Sequence, residues 1–274
     1  MENQVSPKVL ISHSGRLESA QRVHLLGLEI HNLTMAETLS AIGEIMERRR
    51  FAYAVTPNVD HVVKFRNSAT FRQLYADATL VLADGVPLLW ASRMLGTPLK
   101  ERINGTDLFE RTCAFAAERG YSIFLLGGSP GAAASASEKL MLRHPKLKIA
   151  GLDCPAYGFY RSAEQNEIVQ KKIRESGAEI LFVGLGAPQQ EQWMYDHAEG
   201  SGVCFAAGVG VSFSFVGGLI PRAPLWMQRS GLEWLWRLGK EPKRLWKRYL
   251  LEDLPFFGML LRAMVKRMSA QRQS

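Results

Sequence analysis

Five short runs of the chain, Phe51–Val55, Leu80–Ala83, Ser122–Leu126, Ile180–Gly184 and Val203–Ala207, are apolar on successive residues rather than on alternate ones. A strand with one wet face alternates, whereas a strand covered on both faces does not, so these runs predict a parallel sheet held between two layers of helix. Helical patterns separate them. Thr34-Met35-Ala36-Glu37 has the spacing of a capping box, and Met35, Leu39, Ile42 and Met46 then fall on one stripe. Ser162-Ala163-Glu164-Gln165 repeats the start signal ahead of Ile168 and Ile173, with Gly177 as the stop. Such alternation calls for right-handed crossovers and predicts an α/β fold, a doubly wound, mainly parallel, Rossmann-like sheet over residues 22–220. Residues 1–21 read as a loosely ordered polar segment. Residues 221–274 read as a C-terminal helical appendage, amphipathic, basic and broken by Pro224, Pro242 and Pro255.

Charge is concentrated in that appendage. The 274 residues carry a formal +8, but from Trp226 onward eleven Lys and Arg face four acids, leaving 23 against 22 in the rest. A uniformly basic, nucleic-acid-coating surface is thereby excluded, and no nucleic-acid partner is expected. Cys113, Cys154 and Cys204 lie far apart without ligand spacing, and read as small buried residues in a reducing compartment. The N-terminus lacks a secretory pattern and no run of about 18 apolar residues occurs, so a cytoplasmic location is expected.

Ligands in doubly wound sheets bind beyond the carboxyl ends of the strands, so the loops there are the candidates for chemistry. Thr56-Pro57-Asn58-Val59-Asp60-His61 can present a hydroxyl and an amide to one ligand, or simply cap a helix. Asp84, between Ala83 and Gly85, is placed either as a general base or as a helix N-cap. A nearby helix N-terminus is expected to pull its pKa down. Gly127-Gly128-Ser129-Pro130-Gly131 leads from a strand into an Ala/Ser-rich helix, a setting suited to a phosphate, although glycine is ordinary in such turns. In Gly184-Leu185-Gly186-Ala187-Pro188-Gln189-Gln190-Glu191-Gln192-Trp193, the amides and Glu191 are expected to face the crevice and orient sugar hydroxyls, with Trp193 packed below; solvated first-turn residues are the plainer alternative. Gly208-Val209-Gly210-Val211-Ser212 would let a base or ribose lie against backbone. There is no D-x-D pair, H-E-x-x-H or G-x-S-x-G, and no phosphate-binding Walker loop or dinucleotide fingerprint.

In the appendage, Lys243, Arg244, Lys247 and Arg248 share one helix face, with Leu245, Trp246, Tyr249 and Leu250 filling much of the rest. Farther on, Phe256, Phe257, Met259, Leu260, Leu261, Met264, Val265 and Met268 interleave with Arg262, Lys266 and Arg267. This pattern suits either an anionic membrane surface or a helical lid packed on the sheet domain. Arg222, Arg229 and Arg237 are the appendage cations nearest the sheet domain in sequence, and candidates to neutralise a diphosphate.

Taken in order, Thr56-Pro57-Asn58-Val59-Asp60, Ala83-Asp84-Gly85-Val86-Pro87, Gly105-Thr106-Asp107-Leu108, the loop from Val183 to Glu191, and Arg222-Ala223-Pro224-Leu225-Trp226 with its continuation to Arg248-Tyr249 closely resemble the WecG/TagA/CpsF glycosyltransferase family over roughly residues 23–250. The resemblance implies an inverting, metal-independent transferase without a cofactor. Its donor would be a UDP-sugar (N-acetylmannosaminyl, glucosyl or a related uronic acid) and its acceptor an undecaprenyl-diphosphate-linked saccharide, in bacterial surface polysaccharide synthesis. It also implies a peripheral site on the cytoplasmic face of the inner membrane, and leaves room for a homo-oligomer. By this resemblance Asp84 is the base, and Thr56, Asn58 and Gln190 are active-site residues. Gln189 stands where many members have lysine, and Arg222 and Arg229 are candidates to complete the site. Gly85, Gly127, Gly128, Ser129, Gly186, Glu191, Gly208, Gly210 and Arg237 are the further expected substrate contacts. A nucleotide-binding oxidoreductase or regulatory domain of NAD(P) type, with a helical oligomerisation tail, is the alternative from the residues alone.

Overall fold

The computed structural model describes residues 21–271, with the side chain of Arg244 outside that description; residues 1–20, expected to be loosely ordered, also lie outside it. The first elements are ones the sequence pattern did not announce. β1 (Arg22–Leu25) and β2 (Leu28–His31) pair antiparallel through a turn in which Leu26 and Gly27 both take positive φ, the geometry of a two-residue hairpin. Val23, Leu25, Leu28 and Ile30 are its buried face.

α1 (Met35–Arg48) starts with the expected capping box: Thr34 Oγ1 accepts from the Glu37 N–H, while the Glu37 carboxylate accepts from the Thr34 N–H. Next come β3 (Ala52–Val55), α2 (Val59–Asn67), α3 (Ala69–Ala76), β4 (Leu80–Val81), α4 (Val86–Met94), α5 (Gly105–Arg119), β5 (Ser122–Gly127), α6 (Ala132–Arg143) and β6 (Lys148–Asp153). α7 (Ala163–Ser176), β7 (Ile180–Gly184), α8 (Gln189–Trp193), β8 (Phe205–Gly208) and α9 (Ser212–Val216) complete the region around the sheet. Of the α7 stripe, Ile173 is buried as expected but Ile168 is exposed, its neighbour Val169 facing the core instead. Cys113 and Cys204 are buried, whereas Cys154 is exposed at the end of β6, its thiol donating to the Gly128 carbonyl at 3.3 Å.

Six strands form one parallel sheet in the order β4-β3-β8-β7-β5-β6. The unbroken apolar runs follow from its two cores. Ile180 and Phe182 of β7 join α1, α5, α6 and α9 on one face, while Leu181 and Val183 join α2, α3, α4, α7 and the hairpin on the other. From β5 the chain crosses to β6 on one side, and from β7 to β8 on the other, so the loops after β5 and β7 part at the carboxyl edge of the sheet.

The remaining chain is helical: α10 (Leu225–Arg229), α11 (Glu233–Lys240), α12 (Pro242–Lys247), a π-helical turn over Arg248–Glu252, and α13 (Leu254–Gln271). Phe256, Met259 and Leu260 bury α13 in the core that also holds Val62 of α2. No helix among the described residues is long and apolar enough to cross a membrane.

Candidate active site

The Asp84 turn is built from backbone. The Asp84 N–H donates to the Pro57 carbonyl at 2.8 Å, and the Ile103 N–H to the Ala83 carbonyl at 2.8 Å, which ties the loops after β3 and β4 to the start of α5. Gly85, at φ +109, is the N-cap of α4, and no side chain caps that helix, so Asp84 is not spent on capping. Its carboxyl is only partly exposed and closely surrounded by protein. Burial pushes its pKa up to about 7, against Arg102 and Arg237, which pull down; Glu233 and Asp107 push up. The downward pull expected from the helix N-terminus is therefore outweighed: removing water from the carboxylate costs more than nearby positive charge returns.

Cations from two parts of the chain gather around this turn. Arg102, which the motifs did not single out, donates to the Gln228 carbonyl at 3.3 Å and to Glu233 at 3.4 Å, with Asp107 at 3.8 Å. Its only sequence signal is its place two residues before Asn104, the N-cap of α5. Arg222 donates to Asp107 at 2.7 Å and to Asn104 at 3.4 Å, and lies 3.7 Å from Glu233. Arg237 stacks its guanidinium over Phe215 at 5.8 Å, and its Nε is buried with no hydrogen-bond partner among the described residues. Arg229 is exposed at the end of α10.

Thr56 is buried, with its hydroxyl 3.6 Å from where a Cβ on Gly105 would stand. Asn58 does cap α2, its Oδ1 accepting from the His61 N–H at 3.4 Å, and that same oxygen accepts from Arg248 at 3.3 Å. Capping and site placement thus coexist in one side chain.

The loops after β7 and β8 are joined by Gln190. Its Oε1 accepts from the Gly186 N–H at 3.2 Å and the Gly210 N–H at 3.0 Å, while its Nε2 donates to Glu191 at 2.9 Å. A Cβ on Gly208 would lie 2.8 Å from that Nε2. Gly208→Ala should therefore displace Gln190 and loosen both loops, with a stability loss of about 1–3 kcal/mol read as a lower Tm, and reduced turnover. Glu191 does not face the crevice as expected. It is fully buried, burial raises its pKa to about 7 against the Gln190 hydrogen bond, and its Oε2 has no hydrogen-bond partner among the described residues. Trp193 is likewise buried, donating from Nε1 to Asn166 at 3.0 Å. Gln189 lines a depression of about 330 Å³ with Ser68, Phe71, Gln192 and His197. That hollow has none of the arginines around Asp84, so the charged surroundings of Asp84, rather than this hollow, are the candidate site.

Gly127 and Gly128 hold φ of +87 and +86, and Gly128 N–H donates to the Gly184 carbonyl at 2.9 Å. Side chains there would meet Leu185 at 2.7 Å and Phe213 at 3.0 Å. Close packing of the β5 loop against the β7 loop and α9 thus requires both glycines, whether or not a phosphate is bound. No side chain caps α6, and Ser129 is exposed beside its start.

The chain is 27% identical to the N-acetylglucosaminyldiphosphoundecaprenol N-acetyl-beta-D-mannosaminyltransferase of Staphylococcus aureus over 238 residues, 86% of this chain and 90% of that protein. It is 29% identical to the Bacillus spizizenii protein of the same name over 205 residues, 75% and 77% of the two chains. For the Bacillus subtilis protein of that name the identity is 31% over 175 residues, 64% and 66%. The family model described as glycosyl transferase WecG/TagA/CpsF matches residues 23–270, from the first strand into the last helix. The expected oxidoreductase alternative has no support in these likenesses: the chain belongs to the WecG/TagA/CpsF family and is a glycosyltransferase.

Proposed function

We propose that the protein moves a sugar from a UDP-sugar to an undecaprenyl-diphosphate-linked saccharide by a single, inverting displacement that uses no metal. In this reading residues 22–220 are the catalytic domain and 221–274 an appendage that supplies cations and a lipid-facing surface. The observation that carries the proposal is Asp84, a carboxyl with raised proton affinity set among Arg102 and Arg237. The acceptor hydroxyl attacks the anomeric carbon, its proton passes to Asp84 as the new C–O bond forms, and the bond to UDP breaks with its electron pair on the diphosphate. One attack from the face opposite the leaving group inverts the centre. Arg222 is already neutralised by Asp107 and Glu233, whereas Arg237 has no ion pair among the described residues, which favours Arg237 as the counter-charge to the departing diphosphate.

The relatives' names specify N-acetylmannosaminyl transfer to a diphosphoundecaprenol-linked N-acetylglucosamine, which puts that donor and acceptor first here. UDP release is expected from UDP-N-acetylmannosamine with a short-chain lipid-diphosphate acceptor, and mass spectrometry of the product identifies the sugar moved. A panel including UDP-glucose and the uronic acids that yields no UDP with any donor would sink the proposal.

A further inference from the structure

We infer that Arg248 is a positioning residue: it fixes the side-chain amide of Asn58 so that its NH2 end, and not its carbonyl, is offered to the substrate. The inference rests on the glycosyl-transfer reading above for what that amide does, and on contacts alone for how it is held. Two groups meet one end of the amide, the His61 backbone N–H at 3.4 Å and the Arg248 guanidinium at 3.3 Å. Each can only donate, since a guanidinium and a backbone N–H have no lone pair to offer. The end they share must be the carbonyl oxygen, which leaves Nδ2 as the end available for other contacts.

That amide is placed to matter. Asn58 stands beside the Asp84 turn, its Cβ 4.0 Å from where a Cβ on Gly85 would be, and the Asp84 N–H is bonded to Pro57, one residue before it. A donor there suits a sugar or phosphate oxygen of a ligand in the cleft and would repel nothing that accepts. Arg248 is itself held, 3.6 Å from Asp60, whose carboxylate also takes Lys64 at 2.6 Å. Burial alone would raise the Asp60 pKa, but Arg248 and Lys64 bring it below its ordinary value, so the anchor stays charged. Arg248 comes from the turn after α12, 190 residues after Asn58. The appendage therefore sets the rotamer of a side chain in the sheet domain, through a cation that need not touch the substrate.

Two readings of one set of variants test this. In 15N-labelled protein the Asn58 side-chain amide signal, assigned by its loss in Asn58→Asp, is expected to shift in Arg248→Met and to stay put in Lys247→Met. A signal unmoved by Arg248→Met overturns the inference even if no donor sugar is ever found. In turnover, Arg248→Met and Asn58→Ala are each expected to lower kcat, Asn58→Ala on the order of a hundredfold, and the double variant to be no worse than Asn58→Ala. Multiplying losses would mean that Arg248 does not act through Asn58. Asn58→Asp keeps an oxygen toward Arg248 and an equally good cap for α2, so its Tm should hold while its kcat falls as far as that of Asn58→Ala. Wild-type turnover in Asn58→Asp would overturn the donor role.

Discussion

Asp84→Asn should lower kcat by about a thousandfold, the range a positioned base contributes, while leaving the protein folded. Asparagine keeps the size and the backbone bond to Pro57 but cannot take the proton of the acceptor hydroxyl. Burial raises the carboxyl to a pKa of about 7, with Arg102 pulling the other way. The base works as the carboxylate, so kcat/KM in the wild type should fall as pH drops through about 7, and level off above it. Arg102→Met removes the strongest opposing charge and should move that limb to higher pH. Stability has the opposite sign. A carboxyl whose folded pKa lies above its unfolded value of 3.8 favours folding below that value, and loses that contribution as pH rises through about 7. At pH 8 the asparagine variant should thus melt no lower than wild type. Near-normal turnover in that variant, or a flat profile between pH 6 and 8, would place the base elsewhere.

Much of this was legible in the sequence, and the failures have physical causes. The runs of β3, β5, β7 and β8 could be read because both faces of each strand are covered, leaving no polar position to interrupt them. β6 is an edge strand with mixed exposure, and its Lys-Ile-Ala-Gly-Leu-Asp has no such run. The β1–β2 hairpin turns on Leu26-Gly27 rather than Asn-Gly, and four-residue strands are too short for alternation to register. The place of Asp84 past a strand marks it in the sequence, but its proton affinity is set first by burial and then by Arg102, Glu233 and Arg237, all of which only folding brings about. Glu191 is expected at the crevice from its place in the first turn of α8, but the helix turns it inward, burying it beside Gln190 while Pro188 stays exposed. The spacing of Arg248 puts it on one helix face with Lys243 and Lys247; the fold turns it inward onto Asn58 and Asp60, leaving Lys247 exposed beside Glu252.

Phe257→Glu combined with Leu261→Glu should release the protein from anionic vesicles, with binding weakened roughly a thousandfold. α13 is apolar on two sides. Phe256, Met259 and Leu260 are buried in the sheet domain's core, and they account for only one of them. Phe257, Leu261, Val265 and Met268 recur at helical spacing on another side, 57%, 63%, 55% and 55% exposed. Arg262, Lys266 and Arg267 are interleaved with them, and Trp246, Leu250 and Leu254 are also exposed just before. An apolar stripe beside cations suits the boundary of an anionic bilayer, where apolar groups leave water and each cation gains about 1 kcal/mol. Losing a Phe and a Leu from that boundary forfeits about 4 kcal/mol at ~2 kcal/mol per side chain, close to three decades in binding. Both residues are exposed on α13 rather than part of the Asp84 turn, so turnover of a short-chain, water-soluble acceptor should be unchanged, while turnover of a vesicle-embedded acceptor falls with binding. Raising salt should weaken wild-type binding only in part, because screening reaches the lysines and arginines but not the buried rings. Cosedimentation with vesicles of phosphatidylglycerol and phosphatidylethanolamine reads the effect directly. If the double variant still pellets like wild type, the stripe faces something other than lipid and the appendage's attachment must lie elsewhere on the protein.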